Sequence, residues 1–239
     1  MVLEQLRDGA ERHLEAFDEG TRQLITILCL PLVDGVFATL LASGALQSMT
    51  DYIMIALTIF SGAGSLAVLY SYSETRAEAK KMVFRATPVL VAGAVLVGLV
   101  APVYGELFRS TSLSYTAALV LLLIAGKLAE LDLADGISTS TVLITGLVLS
   151  VKSPGAVQFS TGYVVSAAAT ALFASASLYA ATYMTHLEMK IDYIQKGSAL
   201  VLILISLSVA GLQIPSEAGL AVFAVSLIAS MRQSVRISN

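Results

Sequence analysis

The chain has 239 residues, of which 56% are hydrophobic and only 13% are charged, whereas soluble domains carry about 25% charged residues. This composition excludes an ordinary water-soluble surface. A net charge of −3 without a long basic run excludes the electrostatic signature of a nucleic-acid-binding protein, and the single cysteine, Cys29, excludes an internal disulfide and a cysteine metal cluster.

Residues 1–21 are predicted to form an amphipathic helix on the membrane surface. Charged residues occupy most of its faces, while apolar residues recur at three- and four-residue steps, at Leu3, Leu6, Ala10, Leu14 and Phe17. This pattern is typical of helices that lie in the interface. A helix packed on the rest of the protein, or a partly disordered segment, is the alternative.

Eight hydrophobic blocks follow, most of them about 17 to 25 residues long. A helix of that length crosses a hydrocarbon core roughly 30 Å thick and satisfies its own backbone polar groups. The sequence therefore predicts an all-α, polytopic transmembrane bundle of about eight helices within residues 22–232 and a cytoplasmic tail at 233–239. The blocks are 22–46, 51–72, 86–104, 113–129, 137–151, 163–185, 197–212 and 218–231.

The distribution of lysine and arginine favours eight spans with both termini in the cytoplasm, in a plasma membrane. With the N-terminus inside, only Arg109 and Lys152 fall in outer segments and Lys127 falls inside a helix. Such an inner excess is typical of cytoplasmic loops. The inner cations are Arg7, Arg12, Arg22, Arg76, Lys80, Lys81, Arg85, Lys190, Lys196, Arg232 and Arg236.

The two halves of this domain, 22–129 and 130–232, show a faint internal similarity. The run Leu32-Val33-Asp34-Gly35 matches Leu133-Ala134-Asp135-Gly136, and four predicted helices separate the two runs. A duplication with this spacing would give two parallel four-helix repeats, related by an axis along the membrane normal. Chance similarity between helices rich in Leu, Ala and Gly is the alternative.

Three stretches resemble a known family: PLVDGVFATLLASGAL, IFSGAGSLAVLYS, and AGK followed further on by VLSVKSPGAVQ. They are similar to an uncharacterised family of multi-pass membrane proteins from halophilic archaea, and the resemblance covers most of residues 22–231. It implies a prokaryotic plasma membrane. It implies no activity, because that family has no established function.

The Asp-Gly pairs also resemble part of the duplicated Glu-x-Gly-Asp-Lys/Arg-Ser/Thr motif of cation exchangers. The chain departs from that motif, because no Glu precedes Asp34 at the required spacing and Val36 and Ile137 replace the basic residue. The metal ligands of those exchangers are therefore not carried over to this chain.

Asp34 is the leading candidate for an ion- or substrate-binding residue. It lies about 18 Å along the helix that starts at Arg22, near the middle of the membrane. A carboxylate there costs at least about 2.5–3.5 kcal/mol to insert and usually faces a cavity, a partner or an ion path. Pro31 removes a backbone donor and Gly35 permits close approach of another backbone, so a kinked helix could bind a cation or proton. A structural acid, hydrogen-bonded to neighbouring helices, is the alternative.

Four further residues are weaker binding candidates. Lys127 lies within a turn of the inner end of its helix, where its side chain can reach the interface. A binding role through an ion pair with Asp34 is the alternative. Asp135 repeats the Asp-Gly pair of the first half. Ser138 and Thr139 open a polar run that lines a cavity or bonds back to its own helix.

Small residues recur at four-residue steps in two of the blocks, at Ser61/Ser65, Ala63/Ala67 and Ala167/Ala171/Ser175. Such faces let helices approach closely. We expect them to pack against neighbouring helices, and we expect Gly64 to lie on the same kind of face.

No catalytic residue, metal site or cofactor is predicted. His13 and His186 lie in polar segments, and the sequence contains no HExxH, GxGxxG, Walker A or GxSxG motif, so an enzyme is not indicated. The expected partners are the lipid bilayer and a small ion or solute, without nucleic acid. Association into a homo-oligomer is left open.

Two functions are compatible with these features. The first is a secondary transporter or permease for an ion or small solute, with Asp34 as coupling site, because a broken first helix and a short polar fifth helix occupy matching positions in the two halves. The second is a non-transporting membrane protein that organises partners or lipids, which fits the single buried acid and the small-residue faces.

Side-specific labelling tests the predicted topology. Single cysteines placed at Ser73 and at Gln47, in a Cys29→Ala background, should react with a membrane-impermeant thiol reagent from opposite sides, because the second predicted span separates them. Labelling of both positions from one side would contradict the eight-helix arrangement.

Overall fold

The computed structural model describes residues 17–152, 160–184 and 191–237. In these ranges the chain forms eleven α-helices, a π-helical turn at Ala56–Phe60 and a 3-10 turn at Thr182–Met184. The amphipathic helix expected at 1–21 lies almost wholly outside the described residues. The helices are α1 Glu19–Val33, α2 Val36–Ala42, α3 Met49–Ile55, α4 Ala63–Ser71, α5 Arg76–Leu107, α6 Ser110–Leu128, α7 Asp132–Asp135, α8 Thr139–Ser150, α9 Thr161–Ala181, α10 Ile191–Val209 and α11 Ser216–Ile237.

Four of these helices, α5, α6, α9 and α10, are long and apolar enough to cross a membrane. Two further spans arise if α1 with α2, bent by 45°, and Met49–Phe60 with α4, bent by 52°, each cross as a broken pair. The helix α8 and the apolar part of α11, Glu217–Ser230, are shorter. The described part of the chain therefore confirms the predicted all-α class, with four to six candidate spans, and indicates a membrane-embedded protein.

The longest helix, α5, begins ten residues before the predicted block 86–104. Thr75 and Glu78 form a capping box, in which the Thr75 hydroxyl accepts from the backbone N–H of Glu78 and the Glu78 carboxylate accepts from that of Thr75. This cap starts the helix in a charged segment that was expected to be a connection. The resulting helix of 32 residues is about 48 Å long and so extends beyond the hydrocarbon core. At the other end of the chain, α11 continues to Ile237, into the predicted tail.

The start of α1 is fixed to α5 by Asp18. The carboxylate of Asp18 caps α1 by accepting from the backbone N–H and the hydroxyl of Thr21, and it forms an ion pair of 2.8 Å with Arg85. Burial raises the pKa of Asp18, but the hydrogen bonds from Thr21 and the nearby Arg85 guanidinium outweigh it and hold the pKa below its ordinary value. These contacts therefore fix the position of the start of the first span against α5.

Small residues bring α5 and α9 into close contact. Ala167 and Ala171 on α9 are fully buried, which confirms the prediction that this face packs. Opposite them, a Cβ added at Gly98 of α5 would lie 2.9 Å from the Cα of Val164 and 3.0 Å from the carbonyl oxygen of Tyr163. The two backbones are thus too close for a side chain at position 98. Gly64, in contrast, is exposed, so the expectation that it packs is wrong.

The connection between α5 and α6 is joined to the end of α8 by backbone hydrogen bonds. The N–H of Arg109 donates to the Ser150 carbonyl over 2.9 Å, and the N–H of Lys152 donates to the Leu107 carbonyl over 3.0 Å. The close approach of Gly146 to Thr116 then places α8 along α6. As a result, the first residue of α8, Thr139, lies close to the last turn of α6.

Substitution of Gly98 tests the close contact of α5 with α9. Gly98→Ala should lower the free energy of unfolding in detergent by about 1–3 kcal/mol, because the added methyl group overlaps backbone atoms that cannot rotate away. Gly136→Ala is the matched control, since a Cβ there meets nothing within 4 Å. Equal thermal melting of the two variants would contradict the packing described here.

Candidate functional site

The first broken span is interrupted at Asp34 and Gly35. The N–H of Asp34 donates the last hydrogen bond of α1, to the Leu30 carbonyl at 2.9 Å, and Gly35 has a φ of +80°, a left-handed conformation that favours glycine. One turn earlier, Pro31 has no N–H, so the carbonyl of Ile27 receives no helical hydrogen bond. The kink expected from the sequence is therefore a complete break, after which α2 starts in a new direction.

The second broken span is interrupted by the π-helical turn and Gly62. The Ser61 N–H donates to the carbonyl of Ala56, five residues back, over 2.8 Å. The Ser61 hydroxyl also bonds the Ala174 carbonyl at 3.1 Å and the Ser177 hydroxyl at 2.6 Å, which holds the break against α9. This span was predicted to be a continuous helix. That prediction is wrong, because the side-chain bonds of Ser61 stabilise a wider turn that the hydrophobic pattern does not reveal.

Both breaks open onto one cavity of about 220 Å³, which we call the break cavity. Asp34 and Pro31 line it from the first span, and Thr139 of α8 lines it from the opposite side. Most of the other walls are apolar. The remaining lining residues are Ile27, Leu30, Val36, Thr58, Ile59, Gly62, Ala63, Gly64, Ser65, Ile124 and Leu128.

The carboxylate of Asp34 has no partner among the residues that the structure describes. Asp34 is partly exposed at the cavity, and its side chain makes no hydrogen bond or ion pair with any of them. In particular, Lys127 does not pair with it, although the next residue, Leu128, lines the cavity. An acid in this position is available to a proton, a cation or a polar solute.

Two helix N-termini at the breaks lack a side-chain cap, and that of α4 contributes backbone polar groups to the cavity. No side chain caps α2 at Gly35 or α4 at Gly62. The first turn of α4, from Ala63 to Ser65, forms part of the cavity wall. Its free N–H groups carry the positive end of the helix dipole, whereas the Asp34 carboxylate is an acceptor. The cavity thus offers both hydrogen-bond donors and acceptors within an apolar enclosure.

The other candidates from the sequence are not brought into this cavity. Gly35 faces the Tyr104 hydroxyl and Leu143, since a Cβ there would lie 3.4 and 3.5 Å from them. Ser138 caps α8, where its hydroxyl accepts from the Thr141 N–H at 3.4 Å. Asp135 is exposed at the end of α7. The described residues contain no group of three His, Cys, Asp or Glu side chains that could hold a metal ion.

The conformations of the two Asp-Gly pairs do not support the internal repeat. Gly35 breaks an apolar span in a left-handed conformation, whereas Gly136 has a φ of −72° and ends a single helical turn. The repeat therefore stays a prediction without local structural support.

Sequence reasoning missed the contribution of the second span to the site. Thr58, Gly62 and Ser65 line the cavity, but the run Ser61-Gly62-Ala63-Gly64-Ser65 was interpreted only as a packing face. Five consecutive small residues inside an apolar block were the available signal. Such a run provides neither bulk nor helix propensity at its glycines, which favours a break.

Substitution at Gly62 tests the second break. A Cβ at Gly62 would collide with the backbone carbonyl of Thr58, so Gly62→Ala should lower the free energy of unfolding by about 1–3 kcal/mol. Gly64→Ala is the matched control, because a Cβ there meets only the Ile27 side chain at 3.8 Å. Thermal melting in detergent measures both variants. A Gly62→Ala protein as stable as the control would mean that this break is not tightly packed.

Comparison with known proteins identifies a family whose activity is unknown. Residues 90–210 match a family of unknown function, DUF5794. The match contains Lys127, Asp135, Ser138 and Thr139 but neither Asp34 nor the two breaks. No curated protein and no solved structure matches the chain significantly. Since the matched residues make up half of its length, the chain belongs to this family of unknown function.

Proposed function

We propose that the protein is a secondary transporter or permease for a small ion or solute, with Asp34 as its coupling site. The observation that carries this proposal is that both broken spans meet at one cavity that contains an unpaired carboxylate. Transporters commonly bind their substrates and coupling ions near the middle of the membrane, between discontinuous helices whose free backbone groups contact the ligand. An acid with no partner among the described residues and the uncapped start of α4, between mostly apolar walls, fit that arrangement.

The groups at the break cavity favour a proton or a small cation as the coupling species. The Asp34 carboxylate and the Thr139 hydroxyl are oxygen ligands, which hard cations prefer. A cavity of about 220 Å³ has room for a small ion with a few water molecules or for a small solute. The uncapped start of α4 would at the same time receive a negative group of a solute.

The proposed topology has eight crossings in the plasma membrane, with both termini in the cytoplasm. Each predicted block contains a described helix, and the lysine and arginine excess falls on one side of this arrangement. The helix α8, with 12 residues, covers only about 18 Å, so its flanking residues would complete the fifth crossing. Two bent spans and one short one then surround the break cavity, as expected where a membrane protein encloses a binding site.

One observation favours the second candidate, a non-transporting protein that organises lipids or partners. Apart from Asp34, the described residues that line the break cavity include no charged side chain, and most of its walls are aliphatic. A lipid chain would be compatible with such walls. The two candidates differ in whether the charge of Asp34 is needed.

Asp34→Asn tests the coupling role. The variant should fold with a free energy of unfolding within about 0.5 kcal/mol of wild type, because the carboxylate has no described partner to lose. It should nevertheless abolish ion flux into proteoliposomes, measured with an internal pH-sensitive dye under imposed sodium or potassium gradients. Asp135→Asn, at an exposed acid outside the cavity, should leave the flux unchanged.

Asp34→Leu separates the two candidates further. If Asp34 were a structural acid, Leu would leave its partner groups unpaired and cost roughly 1–3 kcal/mol of stability. A coupling acid without partners predicts unchanged or increased stability together with loss of flux. Wild-type flux and pH dependence in Asp34→Asn would overturn the transporter proposal, and the organising function would then be the better explanation.

A further inference from the structure

A second cavity, of about 360 Å³, lies where the loop after α2 meets the loop after α10, and we call it the loop cavity. Ser43, Gly44, Gln47 and Asp51 line it from the first loop and the start of α3. Ser208 lines it from the last turn of α10. Within the part of the chain that the structure describes, its lining includes no lysine, arginine or histidine, so Asp51 gives these lining residues a net negative charge.

The carboxylate of Asp51 uses only one of its oxygens in the fold. Its Oδ2 accepts from the backbone N–H groups of Gln47 and Ser48 and from the Ser48 hydroxyl, at 3.2, 2.8 and 2.8 Å. Its Oδ1 receives no hydrogen bond from the residues that the structure describes. The Gln47 side chain donates its amide N–H to the Gly44 carbonyl at 2.7 Å, which leaves its own oxygen as an acceptor. Asp51 and Gln47 thus both have acceptor capacity to spare.

Two helix C-termini lie at the loop cavity, each closed by backbone hydrogen bonds, from Gly44 and Ala45 in one case and from Gly211 and Leu212 in the other. The helix α2 ends at Ala42 and α10 ends at Val209, and residues at both ends line the loop cavity. The negative ends of helix dipoles favour cations. The competing positive end, the start of α3, is already occupied by the Ser48 and Asp51 capping box. The spare acceptors of Asp51 and Gln47 therefore have no compensating cation among the described residues that line the cavity.

We propose that the loop cavity is a binding site for small cations. Oxygen acceptors, a net negative charge and the absence of a lining cation suit an alkali metal ion or a small quaternary ammonium ion and disfavour an anion. This assignment depends on the loop cavity alone and holds whether or not Asp34 couples transport.

The position of the loop cavity deepens the proposed function, on which this second step rests. Met54 lines the loop cavity and Thr58 lines the break cavity, and the Thr58 hydroxyl donates to the Met54 carbonyl over 2.7 Å. One turn of backbone, about 6 Å along the helix, therefore separates the two cavities. In this arrangement a cation binds first in the loop cavity and then at Asp34.

Charged thiol reagents test the cation site directly. In a Cys29→Ala background, Ser208→Cys places a thiol in the loop cavity. The reaction rate with each reagent is divided by the rate of that reagent with a free thiol in solution. This relative rate should be roughly fivefold or more higher for the cationic trimethylammonium-ethyl methanethiosulfonate than for the anionic sulfonatoethyl reagent. Adding Asp51→Asn should remove most of this preference, because the amide keeps the oxygen that caps α3 but loses the charge. Asp132→Asn, at an exposed acid outside the cavity, should leave it unchanged.

Competition measures binding itself. Tetramethylammonium should slow the reaction of the introduced thiol in the Asp51 protein and not in the Asp51→Asn variant. Equal reactivity toward the two reagents, an unreactive thiol in folded protein, or the absence of competition would each overturn the cation site. Asp34→Asn should leave reagent preference and competition unchanged, since Asp34 lines the other cavity. A protein that shows the preference and competition but no ion flux would keep the cation site and refute the transporter proposal.

Discussion

The structure depends on how the backbone N–H and carbonyl groups at the two helix breaks find hydrogen-bond partners inside an apolar bundle. An unpaired N–H or carbonyl group in such surroundings costs several kcal/mol, so a helix that stops there needs replacement partners. At the first break, both the N–H and the hydroxyl of Thr39 donate to the Gly35 carbonyl, at 3.0 and 2.9 Å. At the second break, the Ser65 hydroxyl donates to the Phe60 carbonyl, and the single proton of the Ser61 hydroxyl is within reach of the Ala56 and Ala174 carbonyls. The side-chain hydroxyls thus add hydrogen bonds to carbonyls around the breaks, and the starts of α2 and α4 have no side-chain cap.

A pair of aromatic rings connects the two breaks. Phe37 lies two residues after Gly35, Phe60 lies two residues before Gly62, and both side chains are fully buried. Their ring centroids are 5.1 Å apart at an interplanar angle of 86°, an edge-to-face contact worth about 0.5–1.5 kcal/mol beyond burial. Each ring is attached to the backbone next to its own break. A change in the backbone of one break therefore requires the two rings to repack against each other. The first two spans therefore form one mechanical unit around Asp34.

The parts that the sequence could predict are those encoded by local residue chemistry. Hydropathy located the apolar helices, and the combination of Pro31, Asp34 and Gly35 indicated an interruption, because each of these residues disfavours an ordinary buried helix for a separate reason. The second break could not be placed in the same way. The π-helical turn contains neither proline nor charge, and Ser61 is held by partners on α9 that lie 113 and 116 residues further along the chain. Likewise, the early start of α5 depends on a capping box that hydropathy does not measure.

Family membership and the candidate site concern different parts of the chain. The match at 90–210 covers the helices from α6 to α10 and the second half of α5, and it supplies the scaffold and the cavity walls at Ile124, Leu128 and Thr139. The unpaired acid, the two breaks and Asp51 all precede it. The two cavities thus lie between the first two spans and this scaffold, because Ser208 faces the loop cavity as Thr139 faces the break cavity. A chain with the same scaffold but unbroken first spans would lack Asp34 at a cavity and the uncapped helix starts beside it. The chemistry proposed here is therefore a property of the first two spans in this setting, and it does not follow from the family as a whole.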